Sequence, residues 1–465
     1  GLVSSLPEMI GAQSFEDVLS RSFEAIVSEE ERAAYRALPD TARPHYRRRF
    51  WNRCDPTPGT DRNEFLESHL VRLYHAVDRF SAHGPGDWDA RGDILIRFGF
   101  PGGRSTFFGD IVMGVGIVPP SETWTYGSMG MTVRFVDPEL DGTFQLGEDT
   151  KHLAMWRRPL VPARGEVGPR PPPSRTDIEA ESGKWKGKES VAKGRRAVDE
   201  VPVAYAYRPP TDPLPLVYEV VTTRGHGGLT DVAVNYEIPL SHLQPDGRPG
   251  VRHATVFKRL RVLSDDFDIL EGDDRSLRVW CGREGQTAGR TLTDEWRFEV
   301  PPGEYVVDVA VEDSLSGRCG TGRSRVAVPR YDGPGLRLSD IQLATEVEAG
   351  GDRFRRLGGT VRPRPTHAFR RDGEMVVYFE IYGLKPVRGG LAEFEVETSI
   401  TSQNAAEQAD GIAGFFGRLF PGKRRTTSSH VVAHGRAPDV PHWFAISLAK
   451  LEEDNYVLEI TVRDR

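Results

Sequence analysis

The stretch from Phe50 to Pro101 reads FWNRCDPTPGTDRNEFLESHLVRLYHAVDRF, then a Gly-containing turn, then GDWDARGDILIRFGFP. It decides the fold of the first part of the chain. Pro56 and Pro58 prevent a helix through the DPTPG segment. Apolar residues then recur every three to four positions, which predicts a helix capped by Thr60 or Asp61 with one buried face. They are Phe65, Leu66, Leu70, Leu73, Tyr74 and Val77.

The apolar period changes to two after this helix. Ile94, Ile96 and Phe98 alternate with Leu95 and Arg97, which predicts a strand. Further strand patterns follow as ETWTYG, MTVRFVD and GTFQL, whereas the preceding 90 residues or so are typical of helices. Residues 1–158 therefore predict an α+β domain, with helices first and a small antiparallel sheet second.

Length, composition and charge limit the possible folds and functions of the whole chain. A length of 465 residues predicts about three domains. The net charge of -7 argues against nucleic acid as the main partner, because phosphate binding requires a basic face. No apolar run is long enough to predict a membrane span. The chain begins at Gly1 without a basic segment and an apolar core, so we expect any secretion signal to have been removed or never to have existed.

Pro, Gly and charged residues dominate 159–201, which predicts a long, mostly exposed linker. Seven short strand patterns with turn signals between them occupy 202–331, and 332–465 repeats the design. Each part predicts an immunoglobulin- or fibronectin-like β-sandwich, so the chain as a whole is expected to be mainly β. The second sandwich carries an insertion at 403–427.

Three cysteines match no zinc-binding spacing. Cys281 and Cys319 fall in the same predicted sandwich, where they form either a disulfide or two unpaired thiols. Cys54 follows Trp51 at an apolar helix end, which is typical of a small buried apolar residue.

Several separated motifs resemble those of the bacterial GWxTD-domain proteins. They are DPTPGTDRNEF, GDWDARGDILIRFGFP, ETWTY, MTVRFVD, SDIQLA and VVYFEIYGL, in the same order along nearly the whole chain. Where typical members read G-W-x-T-D-R-G, residues 86–92 read GDWDARG, so the Thr-Asp pair is not preserved. The resemblance implies a periplasmic, outer-membrane-associated or extracellular protein. It transfers no catalytic residue.

The residues of this motif have structural explanations. Trp88 would fill the gap between helix and sheet, Gly92 would supply an unusual backbone angle, and Arg91 would bind helix-end carbonyls.

The candidate metal ligands also have structural explanations that require no metal ion. His430 and His434 lie in a strand pattern, where residues four apart are separated by roughly 13 Å, too far for one metal ion. The acidic run 264–274 is either a calcium loop or a solvated turn between strands, and its order does not match an EF-hand. Asp55 and Asp61 are best explained as an Asx turn and a helix cap. No cofactor is predicted.

The insertion contains an apolar helical face followed by Lys423, Arg424 and Arg425. This face consists of Ile412, Phe415, Phe416, Leu419 and Phe420. It predicts a short amphipathic helix that contacts a membrane surface or a partner, or that caps its own sandwich.

Three functions are compatible with the sequence. The first is a non-catalytic envelope or secreted protein that acts as a scaffold or interaction subunit with other proteins. The second is a hydrolase with its site where the N-terminal helices meet the sheet, and the residues to test are Asp55, His75, Arg91 and Asp93. The third is a carbohydrate-binding sandwich, which requires exposed Trp280, Trp296 or Trp443.

Overall fold

The computed structural model shows a mainly β protein with helices at its start. It divides into two units, Gly1–Thr57 with Asp61–Arg208 and Pro58–Thr60 with Pro209–Arg465. The structure describes residues 15–82, 84, 86–112, 116–147, 151–152, 188–201, 203, 205, 207, 209, 211–246, 252–282, 287, 289–351, 353–387, 390–402, 426–449, 451 and 454–465.

Six α-helices are formed by the described part of the first unit. They are α1 (Phe15–Ile26), α2 (Glu29–Ala37), α3 (Arg43–Cys54), α4 (Glu64–Phe80), α5 (Ala90–Phe98) and α6 (Lys188–Asp199). A capping box of Ser28 and Glu31 starts α2. The cap of α4 differs from the prediction, because the side chain of Asn63, and not that of Thr60 or Asp61, accepts from the backbone N–H of Leu66.

Helix α5 replaces the strand predicted around Ile94, Ile96 and Phe98, so that prediction was wrong. Asp89 caps the start of α5, and Gly99 ends it at a φ of 78°. Nearly every side of α5 is buried. A short helix without a solvent face shows no helical stripe, so its apolar residues are indistinguishable from an alternating strand pattern.

Seven described strands belong to the first unit. They are β1 (Gly103–Phe107), β2 (Asp110–Val112), β3 (Gly116–Val118), β4 (Ser121–Tyr126), β5 (Met131–Val136), β6 (Gln145–Leu146) and β7 (Lys151–His152). Five of these seven strands form the small antiparallel sheet that the sequence predicts, and β2 and β3 pair with each other in a separate hairpin. The main order of the sheet is β1-β4-β5-β6, and β7 also pairs with β5.

Helix α6 lies where the sequence predicts an exposed linker. Val198 on α6 and Val201 just after it are buried in the same core as Phe23, Trp88 and Trp124. The end of the predicted linker is therefore part of the first unit.

Seven strands of the second unit form the first sandwich. They are β8 (Val217–Arg224), β9 (Thr230–Pro239), β10 (Arg252–Ser264), β11 (Ile269–Gly282), β12 (Thr291–Val300), β13 (Gly303–Asp313) and β14 (Cys319–Val328). One sheet has the order β12-β9-β8 and the other β11-β10-β13-β14. This division into three and four strands is that of the predicted sandwich.

The second sandwich also consists of two sheets, with six and three strands. Its strands are β15 (Arg337–Leu338), β16 (Gln342–Glu348), β17 (Arg355–Arg356), β18 (Gly359–Pro363), β19 (Glu374–Tyr382), β20 (Leu391–Ser402), β21 (Thr426–Arg436), β22 (Val440–Ser447) and β23 (Tyr456–Asp464). One sheet has the order β15-β19-β16-β18-β17 with β22 beside β19, and the other has the order β21-β20-β23.

Cys54, Cys281 and Cys319 form no disulfide, so the structure does not contain the bond considered between Cys281 and Cys319. Cys281 lies on β11 and Cys319 on β14, the two outer strands of a four-stranded sheet. Three strand spacings separate such strands by about 14 Å, whereas a disulfide requires Cα atoms within about 7 Å.

None of the described helices combines the length and the apolar character that crossing a membrane requires.

Candidate functional site at the seam between two sandwiches

The motif tryptophan of the first unit is a packing residue. Trp88 is almost fully buried, and its indole Nε1 donates to Asp93 Oδ1 at 2.8 Å. Gly92 lies against it: a Cβ added there would stand 2.4 Å from Trp88 Cδ1. The backbone of Gly92 is not left-handed, so the prediction of an unusual backbone angle was wrong. A glycine is needed here because the indole of Trp88 lies too close to leave room for a Cβ atom.

Arg91 does not bind helix-end carbonyls, which corrects a second expectation. Its guanidinium pairs with the buried carboxylate of Asp89 at 2.6 Å and lies 3.4 Å from that of Glu122. It also donates to Gly142 O and covers the ring of Phe144 at 3.9 Å. The two buried acids attract the guanidinium more strongly than a helix end does, because each carries a full charge.

The four residues proposed for a hydrolase each contact other residues, and none of these contacts joins two of the four. Arg91 is held by Asp89, and Asp93 accepts from Trp88 and lies 3.4 Å from Arg195 Nη1. His75 packs against the rings of Tyr74 and Phe100. Asp55 accepts from the backbone N–H of Thr57 at 2.9 Å, as expected for the predicted Asx turn.

A constellation that the sequence did not reveal joins α1 to α4. Ser22 Oγ lies 2.9 Å from His69 Nε2, and His69 Nδ1 lies 3.0 Å from the hydroxyl of Tyr205. Burial lowers the pKa of His69 to about 3, so the ring is neutral near pH 7. Ser22 and His69 are fully buried, which makes this a core hydrogen-bond relay and not an accessible nucleophile.

Neither candidate metal site has the necessary geometry. His430 and His434 lie on β21, as predicted, opposite Glu397 and Glu393. In the acidic run, Asp274 pairs with Arg261, Asp273 with Arg275 and Asp265 with Arg325. Within the described residues, no group of three His, Cys, Asp or Glu side chains is placed to hold a metal ion.

Two of the three tryptophans considered for carbohydrate binding are exposed. Trp280 is 52% exposed and Trp443 is 47% exposed, whereas Trp296 is buried at 2%. The guanidinium of Arg290 lies 4.9 Å from the centre of the Trp280 ring. The apolar residues predicted in the insertion, Ile412, Phe415, Phe416, Leu419 and Phe420, lie outside the described residues.

An extended polar constellation lies where the β12-β9-β8 sheet of the first sandwich meets the β19-containing sheet of the second, an interface that we call the seam. Strand β9 turns Val232, Val234, Tyr236 and Ile238 into its own core. Its other face carries Asp231, Asn235 and Glu237, and these are also buried. A strand covered on both faces is expected only where a second layer packs on the sheet.

Arg356 is the central residue of the seam, and its side chain is fully buried. Nε donates to Gln342 Oε1 at 3.0 Å within the second sandwich. Nη1 donates to Glu295 Oε2 at 3.1 Å and Nη2 to Asn235 Oδ1 at 3.4 Å, both in the first sandwich. One planar guanidinium thus joins three strands of the two sandwiches.

A second ion pair lies beside it. Asp294 on β12 accepts from Lys258 Nζ at 2.6 Å inside the first sandwich and from Arg353 Nη2 at 2.8 Å across the seam. Burial alone would raise the pKa of Asp294, but the two cations outweigh this effect and lower it. The carboxylate is therefore ionised and ties Arg353 to the first sandwich.

The outer part of the seam contains further pairs. Glu237 accepts from Arg364 at 3.2 Å and from Thr366 at 2.9 Å. His367 Nε2 lies 2.8 Å from Glu219 Oε2, and this hydrogen bond raises the pKa of His367 despite partial burial.

A cleft of about 560 Å³ opens at one end of the seam. Its base contains Glu380, which accepts from the hydroxyls of Tyr378 and Tyr382 at 2.7 Å and 2.6 Å. Burial raises the pKa of both tyrosines, so both remain protonated donors. At the side, Arg224 pairs with Asp439, whose buried Oδ1 has no hydrogen-bond partner among the described residues.

The charged groups of the cleft and seam thus mostly pair with one another, which is the pattern of an interface that holds two domains. Sequence reasoning did not predict this interface, because a local strand pattern does not show whether the two sandwiches touch. The one available signal was the arginine-rich run from 353 to 364, which supplies Arg353, Arg356 and Arg364.

No protein-family model matches this chain, and no curated protein matches it.

Proposed function

We propose that this chain is a non-catalytic scaffold or interaction subunit of a bacterial envelope or secreted assembly, with other proteins as its partners. The observation that carries the proposal is the buried polar seam around Arg356. A scaffold must hold its binding surfaces in a fixed relation, and hydrogen-bonded charges that cross an interface specify one orientation more narrowly than apolar contact does.

The engagement of three of the four candidate catalytic residues supports the same proposal. Asp55, Arg91 and Asp93 each serve a local structural contact. The envelope location rests on the resemblance to the GWxTD-domain proteins, whose motif tryptophan here packs against Gly92.

The test is cross-linking in intact bacteria that express the full chain with an affinity tag, followed by cell fractionation and mass spectrometry. The expected result is recovery from the envelope or the medium with the same proteins in fixed stoichiometry. Recovery from the cytosol without such proteins, or turnover of a peptide or glycan by the purified chain, would contradict the proposal. Arg356→Ala should reduce the cross-links, whereas the neighbouring surface change Arg355→Ala should leave them unchanged.

The exposure of Trp280 and Trp443 favours carbohydrate binding as a second candidate. Aromatic faces at a surface bind sugar rings by apolar contact. Calorimetric titration with soluble peptidoglycan fragments should then give heat that Trp280→Ala or Trp443→Ala abolishes. Heat that both variants retain, or no heat at all, would remove this candidate.

A further inference from the structure

The loop that joins β5 to β6 has the residue spacing of a calcium-binding loop. In twelve-residue calcium loops, oxygen ligands come from positions 1, 3, 5 and 7, a glycine at position 6 allows a sharp turn, and a glutamate stands at position 12. Residues 137–148 read DPELDGTFQLGE, with acids at positions 1, 3, 5 and 12 and glycine at position 6. Glutamate replaces the usual aspartate or asparagine at position 3. The twelfth residue, Glu148, lies outside the described residues.

The backbone of this loop turns back on its own first residue. Gly142, at position 6, has a φ of 87°, and an added Cβ there would meet no atom within 4 Å, so the backbone angle and not the space requires glycine. Leu140, at position 4, is also left-handed at a φ of 59°, which is uncommon for a residue other than glycine. The N–H of Gly142 donates to Asp137 Oδ2 at 2.9 Å. The carboxylate at position 1 is therefore directed across the loop.

Asp137 provides the observation that points to a ligand. The residue is only 3% exposed, and its Oδ1 is a buried atom with no hydrogen-bond partner among the described residues. Its Oδ2 accepts from an uncharged backbone N–H. Buried charges in proteins are paired or coordinate a metal ion, because an isolated buried charge loses its hydration without compensation. A cation in the loop would supply the partner that Oδ1 needs.

Two further carboxylates lie on the same loop. Glu139 and Asp141 are both exposed, and their side chains do not converge with Asp137 on one point. Carboxylates repel one another, so they come together only around a cation. Rotation of the two exposed side chains brings them to Asp137, whose carboxylate already faces the loop. The carbonyl of Thr143 stands at position 7, where calcium loops supply a backbone oxygen.

The nearby guanidinium of Arg91 does not take the place of this cation. Its Nη2 donates to the carbonyl of Gly142 at 3.1 Å, and its charge is shared by the carboxylates of Asp89 and Glu122. The carbonyl at position 6 is not a ligand in such loops. Arg91 therefore holds the turn through an oxygen that a calcium ion would not use.

We propose that the loop 137–143 binds one calcium ion through the carboxylates of Asp137, Glu139 and Asp141 and the carbonyl of Thr143. Water supplies the remaining oxygens of the six to eight that calcium takes. Calcium fits this loop better than magnesium does, because calcium accepts a flexible arrangement of carboxylates whereas magnesium demands a regular octahedron. The exposure of two of the three acids favours weak binding, with a Kd of about 10⁻⁴ to 10⁻³ M. The site lies in the first unit, so the proposal depends neither on the seam nor on the envelope location.

The first test is calorimetric titration of the full chain with calcium chloride after treatment with a chelator. The wild type should bind one calcium ion, and the surface variants Glu139→Gln and Asp141→Asn should each raise the Kd by about tenfold or more, because each removes a charged ligand. Asp265→Asn is the matched control in the acidic run 264–274, where Asp265 pairs with Arg325, and it should leave the Kd unchanged. No binding by the wild type up to about 10 mM calcium, or an equal loss in Asp265→Asn, would overturn the proposal.

Thermal unfolding gives a second readout. Calcium at ten times its Kd should raise the Tm of the first unit by about 2 to 4 °C. Asp137→Asn should remove this shift, whatever it does to the Tm without calcium. The same concentration of magnesium chloride should give a smaller shift than calcium does. Equal shifts with the two cations, or a calcium shift that Asp137→Asn retains, would overturn the proposal.

Discussion

Arg356 of the second sandwich donates to Glu295 of the first at 3.1 Å, and the arginine side chain is completely enclosed. A charge in this position is stable only while its partners remain, because an isolated buried ion loses its hydration without compensation. The contact therefore makes the orientation of the two sandwiches part of the folded state of the second unit.

Arg356→Ala should destabilise the second unit by about 3 to 5 kcal/mol, because it leaves the carboxylate of Glu295 buried without its cation. The loss of unfolding free energy is measured by urea unfolding monitored with circular dichroism. Arg355→Ala is the matched control, because its exposed side chain can be removed while its backbone carbonyl remains. It should change stability by no more than about 0.5 kcal/mol. Equal effects of the two variants would contradict the role assigned to Arg356.

Gly92→Ala should destabilise the first unit by about 1 to 3 kcal/mol through overpacking against Trp88. Helix propensity alone predicts the opposite sign, a gain of up to about 1 kcal/mol for alanine over glycine. Thermal unfolding of the wild type and the variant shows whether the substitution lowers stability, as overpacking predicts, or raises it, as helix propensity predicts. Gly127→Ala is the control, because an added Cβ there meets no atom within 4 Å.

The first unit should lose stability in mild acid through His69. Its pKa is lowered to about 3 in the folded state, whereas an unfolded histidine titrates near 6.5. The contribution of the neutral ring is complete above about pH 6.5, and it falls with decreasing pH by up to about 1.4 kcal/mol per unit. Unfolding at several pH values between 7 and 5 measures this slope.

His69→Gln should flatten that slope, whatever it does to the stability at pH 7. If His69→Gln and the wild type lose stability in parallel, the ring is not the group responsible.

The seam should respond to pH in the opposite direction through His367. The pKa of His367 is raised by Glu219, so the pair stabilises the second unit fully below about pH 6.5 and is lost as the pH rises through the folded pKa. The pair is partly exposed, so we expect an effect below about 1 kcal/mol. The difference in unfolding free energy between the wild type and His367→Gln should be larger at pH 5.5 than at pH 8.5. A difference that grows with pH would contradict the assignment.

Much of the fold follows from the sequence, and the failures have physical reasons. The alternation in β9 predicts the strand and its core side, but alternation alone does not say what covers the polar side. Asn235 and Glu237 are buried by residues more than a hundred positions later in the chain, a contact that no local pattern encodes. The prediction failed at α5 for a related reason: burial on nearly all sides removes the polar positions that distinguish a helix from a strand.

The candidate site was less predictable than the fold. Trp88 and Gly92 were recognised as structural residues, but only the three-dimensional contact shows that the glycine makes room for the indole. The relay from Ser22 through His69 to Tyr205 joins three distant parts of the chain, and none of these residues stands in a recognisable motif.

The central claim is that the seam holds the two sandwiches in one orientation. Spin labels at Ser276→Cys and Ser447→Cys, both exposed, test it by pulsed electron–electron distance measurement in protein without its native cysteines and diluted with unlabelled chain. We expect one narrow distance distribution for the wild type and a broadened one for Arg356→Ala. A broad distribution in the wild type would show that the sandwiches move independently, and it would contradict the account.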